Sequence, residues 1–314
     1  MPGPKLTAVT RTQGNNLALK EGRVKPSAFT PEFIEVDPLI AAFRRQVRAS
    51  EFDICEMAIT TYLCAREHGK PMTAVPIPLV RQFHHGAILV NTKAGIKTPR
   101  DLEGRRVGVN RGYTVTTGVW ARGILAEEHG VDLSKITWVL SGDEHVAEYK
   151  PPSNVVPIEP GKSMQSMLAS GELAAAIGVD IDHPDVKPLI PNALDAGIAA
   201  YQTRGHYPIN HLVIIRNDLI DKHPGLATDV FNAFAASRRI YMEQLKAGQI
   251  EKPDIYDRTH VRVLAAGGDP LPYGATANRK TIETLIAHAL AQGIITREVT
   301  VNDIFVPETL DLTG

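Results

Sequence analysis

The chain has 314 residues, 43 % hydrophobic and 22 % charged, which is the composition of a folded globular protein long enough for two lobes. Its net charge of −1 argues against a nucleic-acid partner, and no run reaches the roughly 18 apolar residues of a membrane span. The N-terminus lacks the apolar core of a secretory signal, which predicts a cytoplasmic protein. Cys55 and Cys64 are predicted to be reduced, buried thiols.

The first part of the chain alternates between strands and helices. Apolar runs predict strands at 5–10, 33–36, 51–60 and 72–80. Apolar residues at helical spacing predict helices over 37–50 and 61–70, the first with Pro38 in its opening turn and the second ending at Gly69. This order of strands and helices predicts a parallel sheet of an α/β fold.

The α/β pattern continues through the middle of the chain and gives way to helices. Strands are predicted at 87–91, 105–109, 135–140, 174–179 and 211–220, and helices at 98–104, 116–130, 162–173, 226–248 and 278–293. The proline-rich stretch 180–210 is predicted to be irregular and either to carry function or to cross between lobes. The C-terminal third has too few strands for its own sheet, so we expect it to pack against the first lobe.

A polar segment, RQFHHG at 81–86, separates two of the apolar strands. Cationic and titratable groups between apolar strands are costly unless they are paired, so we expect an anionic ligand in a cleft there. Arg81 suits a carboxylate because a guanidinium binds it bidentately; the alternative is a salt bridge between lobes. His84 and His85 would point to opposite faces of a strand, so one is expected to transfer a proton and the other to form a hinge hydrogen bond.

Further site candidates follow the predicted strands. Glu56 is expected to orient a histidine or accept a phenolic proton, unless it pairs with an arginine such as Arg81. Thr60 and Thr61 either bind a ligand oxygen or cap a helix. His211 is a site residue or a hinge hydrogen-bonder. No metal is predicted, because no cysteine or carboxylate has ligand spacing, but His84 or His85 with Glu56 is kept as an alternative divalent site.

The loop after the strand at 105–109 precedes a helix, whose N-terminus offers free N–H groups and a partial positive charge. This makes the loop the expected site of a second substrate carboxylate. Its candidate residues are Arg111, Gly112, Tyr113, Thr114, Thr116 and Thr117. Asp180 and Asp182 either contact the ligand or form a turn. Weaker candidates are Tyr273 and the return crossing with His206, Tyr207 and Asn210, whereas His68, His129, His223 and His260 are predicted to be solvated.

Longer phrases identify a family resemblance. IKTPRDLEGRRVGVNRG at 96–112 and MLASGELAAAIGV at 167–179 resemble the type II periplasmic-binding-protein fold. DICEMAITTYL at 53–63, PIPLVRQFHHGAILVN at 76–91 and YPINHLVIIRNDL at 207–219 make the chain similar to the 4,5-dihydroxyphthalate decarboxylase family, over roughly residues 5–309.

The resemblance implies an α/β protein of two lobes with a ligand cleft between them. Lobe one would comprise residues 1–88 and 210–314, and lobe two residues 89–209. The implied enzyme is a carboxy-lyase that decarboxylates 4,5-dihydroxyphthalate to 3,4-dihydroxybenzoate without an organic cofactor. Its partner would be a small aromatic carboxylate, with no nucleic acid or membrane, and a homo-oligomer stays open. The alternatives are a solute-binding protein of an ABC importer for an aromatic acid or oxyanion, and other enzymes of the same fold.

Overall fold

The computed structural model describes residues 3–205 and 207–314. His206, which the sequence analysis assigned to the return crossing, lies outside the described residues. The fold is built on two sheets, one of five strands and one of six. No helix within residues 3–205 and 207–314 is long and apolar enough to cross a membrane.

The five-stranded sheet has the order β2-β1-β3-β11-β4. Its strands are β1 Lys5–Val9, β2 Thr30–Phe33, β3 Ile54–Ala58, β4 Met72–Arg81 and β11 Ile209–Arg216. β1 pairs in parallel with β2 and β3, whereas β11 runs antiparallel between β3 and β4. Val213 of β11 lies opposite Glu56 of β3, and the β11–β4 register shifts on either side of His211.

The six-stranded sheet has the order β10-β5-β9-β6-β7-β8. Its strands are β5 Ile88–Asn91, β6 Arg106–Val109, β7 Thr137–Leu140, β8 Val155–Pro157, β9 Ala175–Ile177 and β10 Val186–Pro188. The chain therefore leaves the first sheet after β4 and returns to it at β11. These two crossings, at 82–87 and 189–208, lie close to the predicted lobe boundaries near 88 and 210, and the division itself stays a prediction.

Helices cover both sheets. They are α1 Gly14–Lys20, α2 Ile40–Ala49, α3 Ile59–Glu67, α4 Thr116–His129, α5 Met164–Ser170, α6 Ala193–Arg204, α7 Asn217–Lys222, α8 Leu226–Lys246, α9 Ile255–Ala265 and α10 Ala275–Ala291. α8 packs against α1 and β4, as expected for a C-terminal third lying on the first lobe. α10 instead packs against α4, a helix that follows a strand of the second sheet, so that expectation was only partly right.

The structure also corrects several predicted elements. α6 occupies part of the stretch predicted to be irregular, and α9 lies where no element was predicted; a capping box of Asp254 and Asp257 begins α9 directly after Pro253. The strand predicted at 33–36 lies at Thr30–Phe33. His84 and His85 are not in a strand, because the chain turns through a short 3₁₀ helix at His85–Ala87 after β4 ends.

Candidate active site

A cavity of about 470 Å³ lies where the two sheets meet. The first sheet contributes the end of β4, and the second contributes the N-terminus of α4 and the residue after β9. The residues that line it are Arg81, Gln82, Phe83, His84, Gly86, Ala87, Thr117, Gly178, Ala193, Leu194, Tyr207, Ile255, Tyr256 and Thr259. In open α/β folds ligands bind beyond the carboxyl ends of the strands, which is the position of this cavity.

Arg81 is a buried cation in the wall of this cavity, with only 3 % of its surface exposed. Its Nε and Nη2 donate hydrogen bonds to the carbonyl oxygen of Tyr207 at 3.1 and 2.7 Å. Within the described part of the chain no carboxylate lies within ion-pair distance of it, so the predicted alternative of a salt bridge is not formed. Burial lowers the pKa of Arg81 to about 10, which leaves it charged at neutral pH. A buried charge without a counter-ion is unfavourable, and an anionic ligand would relieve that cost.

His84 lines the same cavity. Its Nε2 lies 3.0 Å from Oδ1 of Asn210, and its Nδ1 is buried without a partner among the described residues. Because an amide oxygen only accepts hydrogen bonds, Nε2 carries the proton and Nδ1 is left as an acceptor. Burial lowers the pKa of His84 to about 4, so the ring is neutral at neutral pH. His84 therefore offers a hydrogen-bond acceptor beside the Arg81 cation.

His85 faces away from this cavity. Its Nε2 lies 3.1 Å from Oε2 of Glu128, a residue of α4, and its ring lines a separate small void beside Trp120 and His288. The side chains of His84 and His85 do point in different directions, as predicted, but the cause is the 3₁₀ turn and not the alternation of side chains along a strand. Of the pair, His84 faces the larger cavity and His85 joins the crossing to α4.

Glu56 and His211 form a hydrogen-bonded dyad. Oε1 of Glu56 lies 2.6 Å from Nδ1 of His211, and its Oε2 accepts a hydrogen bond from the backbone N–H of Arg11 at 2.9 Å. The Glu56 side chain is fully buried, whereas 20 % of the His211 side chain is exposed. Phe43 of α2 contacts the His211 ring edge-on at 5.0 Å between centroids. Glu56 thus orients a histidine and does not pair with Arg81.

Three of the predicted threonines, Thr60, Thr114 and Thr116, join two helices and do not line the cavity. Oγ1 of Thr60 donates to the carbonyl oxygen of Thr114 at 2.6 Å and lies 2.7 Å from Oγ1 of Thr116. All three residues are buried, so the N-termini of α3 and α4 meet through them. Thr117, one residue further, lines the cavity.

The loop that was predicted to bind a second substrate carboxylate binds the carboxylate of Glu144 instead. The backbone N–H groups of Tyr113 and Thr114 and the Thr114 hydroxyl donate to the side chain of Glu144, the hydroxyl at 2.6 Å. Gly112 makes this possible, because a Cβ there would lie 2.5 Å from a Glu144 oxygen. Arg111 is exposed, and its backbone N–H donates to Ser141 Oγ at 2.7 Å. The sequence did not reveal that these donors are used internally.

The segment that carries Glu144 is also bound by α2, the helix between β2 and β3 of the first sheet. Arg44 binds the carboxylate of Asp143 through Nη1 and Nη2 at 2.8 and 2.7 Å. Arg48 donates to the same carboxylate at 3.2 Å and to the carbonyl oxygens of Glu144 and His145 at 2.9 and 3.1 Å. Through these contacts Arg44 and Arg48 join the two halves of the molecule beside the Glu56–His211 dyad.

Several other predicted residues lie outside the cavity. Asp180 and Asp182 are exposed, and Gly178 lines the cavity in their place. Tyr273 is buried and accepts a hydrogen bond from Nδ2 of Asn15 at 3.1 Å. His260, predicted to be solvated, is 5 % exposed because α9 packs it against Tyr207 and Tyr241.

The alternative divalent site is not assembled in the structure. Glu56, His84 and His85 have three different partners, and the described residues contain no group of three or more histidines, cysteines and carboxylates placed to hold a metal ion.

Two proteins, both named 4,5-dihydroxyphthalate decarboxylase, are similar to this chain in sequence. The 4,5-dihydroxyphthalate decarboxylase of Comamonas testosteroni is 31 % identical over 310 residues, covering 93 % of this chain and 93 % of that protein. The protein of that name from Pseudomonas putida is 32 % identical over 230 residues, covering 70 % and 78 %. The family described as NMT1/THI5 like matches residues 43–150.

Solved structures agree on the fold. The periplasmic aliphatic sulphonate binding protein of Escherichia coli superposes with a TM-score of 0.54 at 14 % identity, covering 97 % of this chain and 98 % of that one. A Candida albicans protein described as having the generic periplasmic binding protein fold gives a TM-score of 0.55 at 12 % identity, covering 100 % and 99 %. At these identities the likeness concerns the fold alone, and the predicted fold class is confirmed.

Proposed function

The chain belongs to the 4,5-dihydroxyphthalate decarboxylase family, and we propose that it removes one carboxylate, as CO2, from a hydroxylated aromatic dicarboxylate. The substrate that the family indicates is 4,5-dihydroxyphthalate, and the product is then 3,4-dihydroxybenzoate. The reaction is a non-oxidative decarboxylation, the work of a carboxy-lyase, and it would serve the breakdown of aromatic dicarboxylates.

One observation carries the proposal at the level of the site. Arg81 is a buried guanidinium without an anionic partner in residues 3–205 and 207–314, and it lines a cavity of about 470 Å³. Typical ligand cavities measure about 300–1,000 Å³, so a single aromatic ring with two carboxylates can fit. In this proposal Arg81 holds the carboxylate that is retained, because a guanidinium matches a carboxylate in charge and shape.

Loss of CO2 from an aromatic ring requires a proton at the carbon that bears the departing carboxylate. In 4,5-dihydroxyphthalate each carboxylate has a ring hydroxyl para to it. Loss of that hydroxyl proton drives electrons toward the carbon, and protonation of the carbon gives a dienone. The C–C bond then breaks, its electron pair restores the ring as a phenolate, and the phenolate regains a proton as CO2 leaves.

We assign delivery of the proton to His211, which does not line the cavity itself but directly follows Asn210, the hydrogen-bond partner of His84. The Glu56 carboxylate accepts a hydrogen bond from Nδ1–H and fixes the orientation of the ring, so Nε2 is the atom that would pass the proton to the substrate. A dyad of this kind supplies an acid at a defined position, an effect typically worth about 10²–10⁴-fold in rate. His84 takes the other role: its unprotonated Nδ1 accepts the proton of the para hydroxyl.

The test is CO2 release and product identification with purified protein and 4,5-dihydroxyphthalate, before and after treatment with a chelator. We expect 3,4-dihydroxybenzoate in equal amounts in both, and no CO2 from phthalate, which lacks the hydroxyls. Glu56→Gln should lower turnover about 10²-fold, whereas His223→Gln, remote from the cavity, serves as the control. Tight binding of 4,5-dihydroxyphthalate without CO2 would favour a solute-binding protein instead.

Location and partners are part of the same proposal. Cys55 and Cys64 are unpaired and buried, which supports a reducing compartment such as the cytoplasm. The partner would be a small aromatic carboxylate. Cell fractionation followed by the CO2 assay tests the location, and activity confined to the periplasm would contradict it.

A further inference from the structure

A second, smaller cavity of about 160 Å³ lies beside Arg81, bounded by α1, β4, α8 and α9. Arg81 and Tyr256 line both this cavity and the larger one, so they stand between the two. Gln13 and His260 also line the small cavity, and the roles assigned above use neither of them.

His260 is held by a chain of hydrogen bonds. The Tyr241 hydroxyl donates to Oδ1 of Asp257 at 2.6 Å, and Nδ1 of His260 lies 2.9 Å from the same hydroxyl oxygen. Because the single hydroxyl proton goes to Asp257, Nδ1 of His260 must carry the proton of that second bond. Its Nε2 is consequently unprotonated, an acceptor. Burial lowers the pKa of His260 to about 4, which keeps the ring neutral at neutral pH.

Two polar atoms of residues that line this cavity have no partner among the described residues. They are Nε2 of His260, an acceptor, and Nε2 of Gln13, a donor. A carboxylate could satisfy only the donor, and a cation only the acceptor. A hydroxyl group satisfies both at once, because it donates one hydrogen bond and accepts another.

The charged groups in the cavity wall already have partners, except Arg81, which the proposed function assigns to the retained carboxylate. Asp254 and Asp257 bind each other's backbone N–H groups as the capping box of α9, at 2.9 Å each. The Arg11 guanidinium lies over the ring of Tyr256, 5.2 Å from its centre. The two polar atoms left over therefore determine what the cavity recognises, rather than a free carboxylate in its wall.

We propose that the small cavity is a subsite for a ring hydroxyl of the substrate, with His260 as the acceptor, Gln13 as the donor, and Tyr241 and Asp257 as positioning residues. The inference rests on the proposed function for the identity of the ring. The hydroxyl concerned is the one adjacent to that bound by His84, so the enzyme recognises the vicinal pair. The subsite selects dihydroxylated rings over singly hydroxylated or unsubstituted ones.

The experiment compares the binding of two ligands that do not react, 3,4-dihydroxybenzoate and benzoate, by calorimetry. Wild-type protein should prefer 3,4-dihydroxybenzoate. His260→Phe keeps a ring of similar shape but lacks the acceptor, so this preference should fall roughly tenfold while benzoate binding stays within about twofold. His260→Gln, which retains an acceptor oxygen, should recover part of the preference. Tyr241→Phe should lose part of it, because Nδ1 of His260 then lacks the partner that fixes the tautomer.

His223→Phe is the matched control and should leave both affinities unchanged. Equal loss of affinity for both ligands in His260→Phe would overturn the subsite, as would an unchanged preference. The outcome is separable from the proposed function: a wild-type protein that releases no CO2 can still show the ligand preference and its loss, and an active enzyme can lack both.

Discussion

Two regions of the molecule present groups that can bind an anion, and the protein supplies the anion itself in only one of them. The Gly112–Thr114 loop before α4 gives its N–H groups and a hydroxyl to Glu144. Arg81, at the end of β4, receives no carboxylate from the described residues, although it is almost fully buried. An internal carboxylate is always at hand and stabilises the fold, whereas an unpaired cation makes folding more costly and ligand binding more favourable. The comparison assigns structural support to the loop and supports the proposal that Arg81 recognises the charge of the substrate.

The largest effect should come from removing the unpaired cation. Arg81→Met should lower kcat/KM for CO2 release about 10³-fold, because the substrate carboxylate loses its charged partner. The free energy of unfolding should change little, because losing the two hydrogen bonds to the carbonyl oxygen of Tyr207 opposes the relief of no longer burying an unpaired charge. Kinetic assays and denaturant unfolding measure the two quantities.

Arg122 offers a matched control for that substitution. It is also fully buried and also has no carboxylate within ion-pair distance among the described residues. Its guanidinium, however, donates to two separate acceptors, Oε1 of Gln292 and the carbonyl oxygen of Tyr113, both at 2.7 Å, and it does not line the cavity. Arg122→Met should therefore lower the free energy of unfolding. Wild-type turnover by Arg81→Met would remove Arg81 from the active site.

The converse experiment removes Glu144, whose carboxylate is bound by the Gly112–Thr114 loop. Glu144→Ala should lower the free energy of unfolding by about 2 kcal/mol, because it leaves three donors without their charged acceptor. Acetate should restore part of the lost stability by binding in the vacated loop. Glu148→Ala is the control, because its partly exposed ion pair with Lys70 should contribute less than about 1 kcal/mol. A Glu144→Ala protein as stable as wild type would contradict the structural role of the loop.

A pH titration sharpens the comparison further, because a buried histidine lies beside each region. Burial lowers the pKa of both His84 and His145 to about 4, below the value of about 6.5 in an unfolded chain. Between these values the unfolded chain binds more protons, so the free energy of unfolding should rise from about pH 4 to about pH 6.5 and then level off. His84→Gln and His145→Gln should each reduce the slope by up to about 1.4 kcal/mol per pH unit. A slope that neither substitution changes would contradict the assigned protonation states.

The smallest effect should come from removing an ion pair between α2 and the segment that carries Glu144. Arg44 and Arg48 bind Asp143 at an exposed position, where an ion pair typically contributes under about 1 kcal/mol. Arg48→Ala should raise KM by no more than about fivefold, and the difference should shrink at high salt as charges are screened. A loss of turnover as large as that expected for Arg81→Met would show that Arg48 belongs to the active site itself.

Sequence reasoning predicted the fold and the cation because both depend on local patterns. Apolar strands interrupted by RQFHHG identified Arg81 and His84, and the structure brings them to one cavity. The contacts of Glu144 were not predicted, since the residues that bind it lie 30 and 31 positions away and charge alone does not reveal a partner at that distance. His260 was missed with its helix, although the capping residues after Pro253 were a usable indication. The roles of the individual site residues stay predictions.

Several residues of the proposed site lie on or next to the crossings between the sheets. Arg81, directly before one crossing, donates to the carbonyl oxygen of Tyr207 on the other, and His84 on the first crossing forms a hydrogen bond with Asn210 just beyond the second. The backbone joins them as well, because the N–H of Gln82 donates to the carbonyl oxygen of Pro208. Rotation of one sheet against the other would have to be absorbed in these same segments. In the proposed function Arg81 also binds the substrate, so the residue that holds the ligand would belong to the link between the two halves. A bound ligand is therefore expected to stiffen that link.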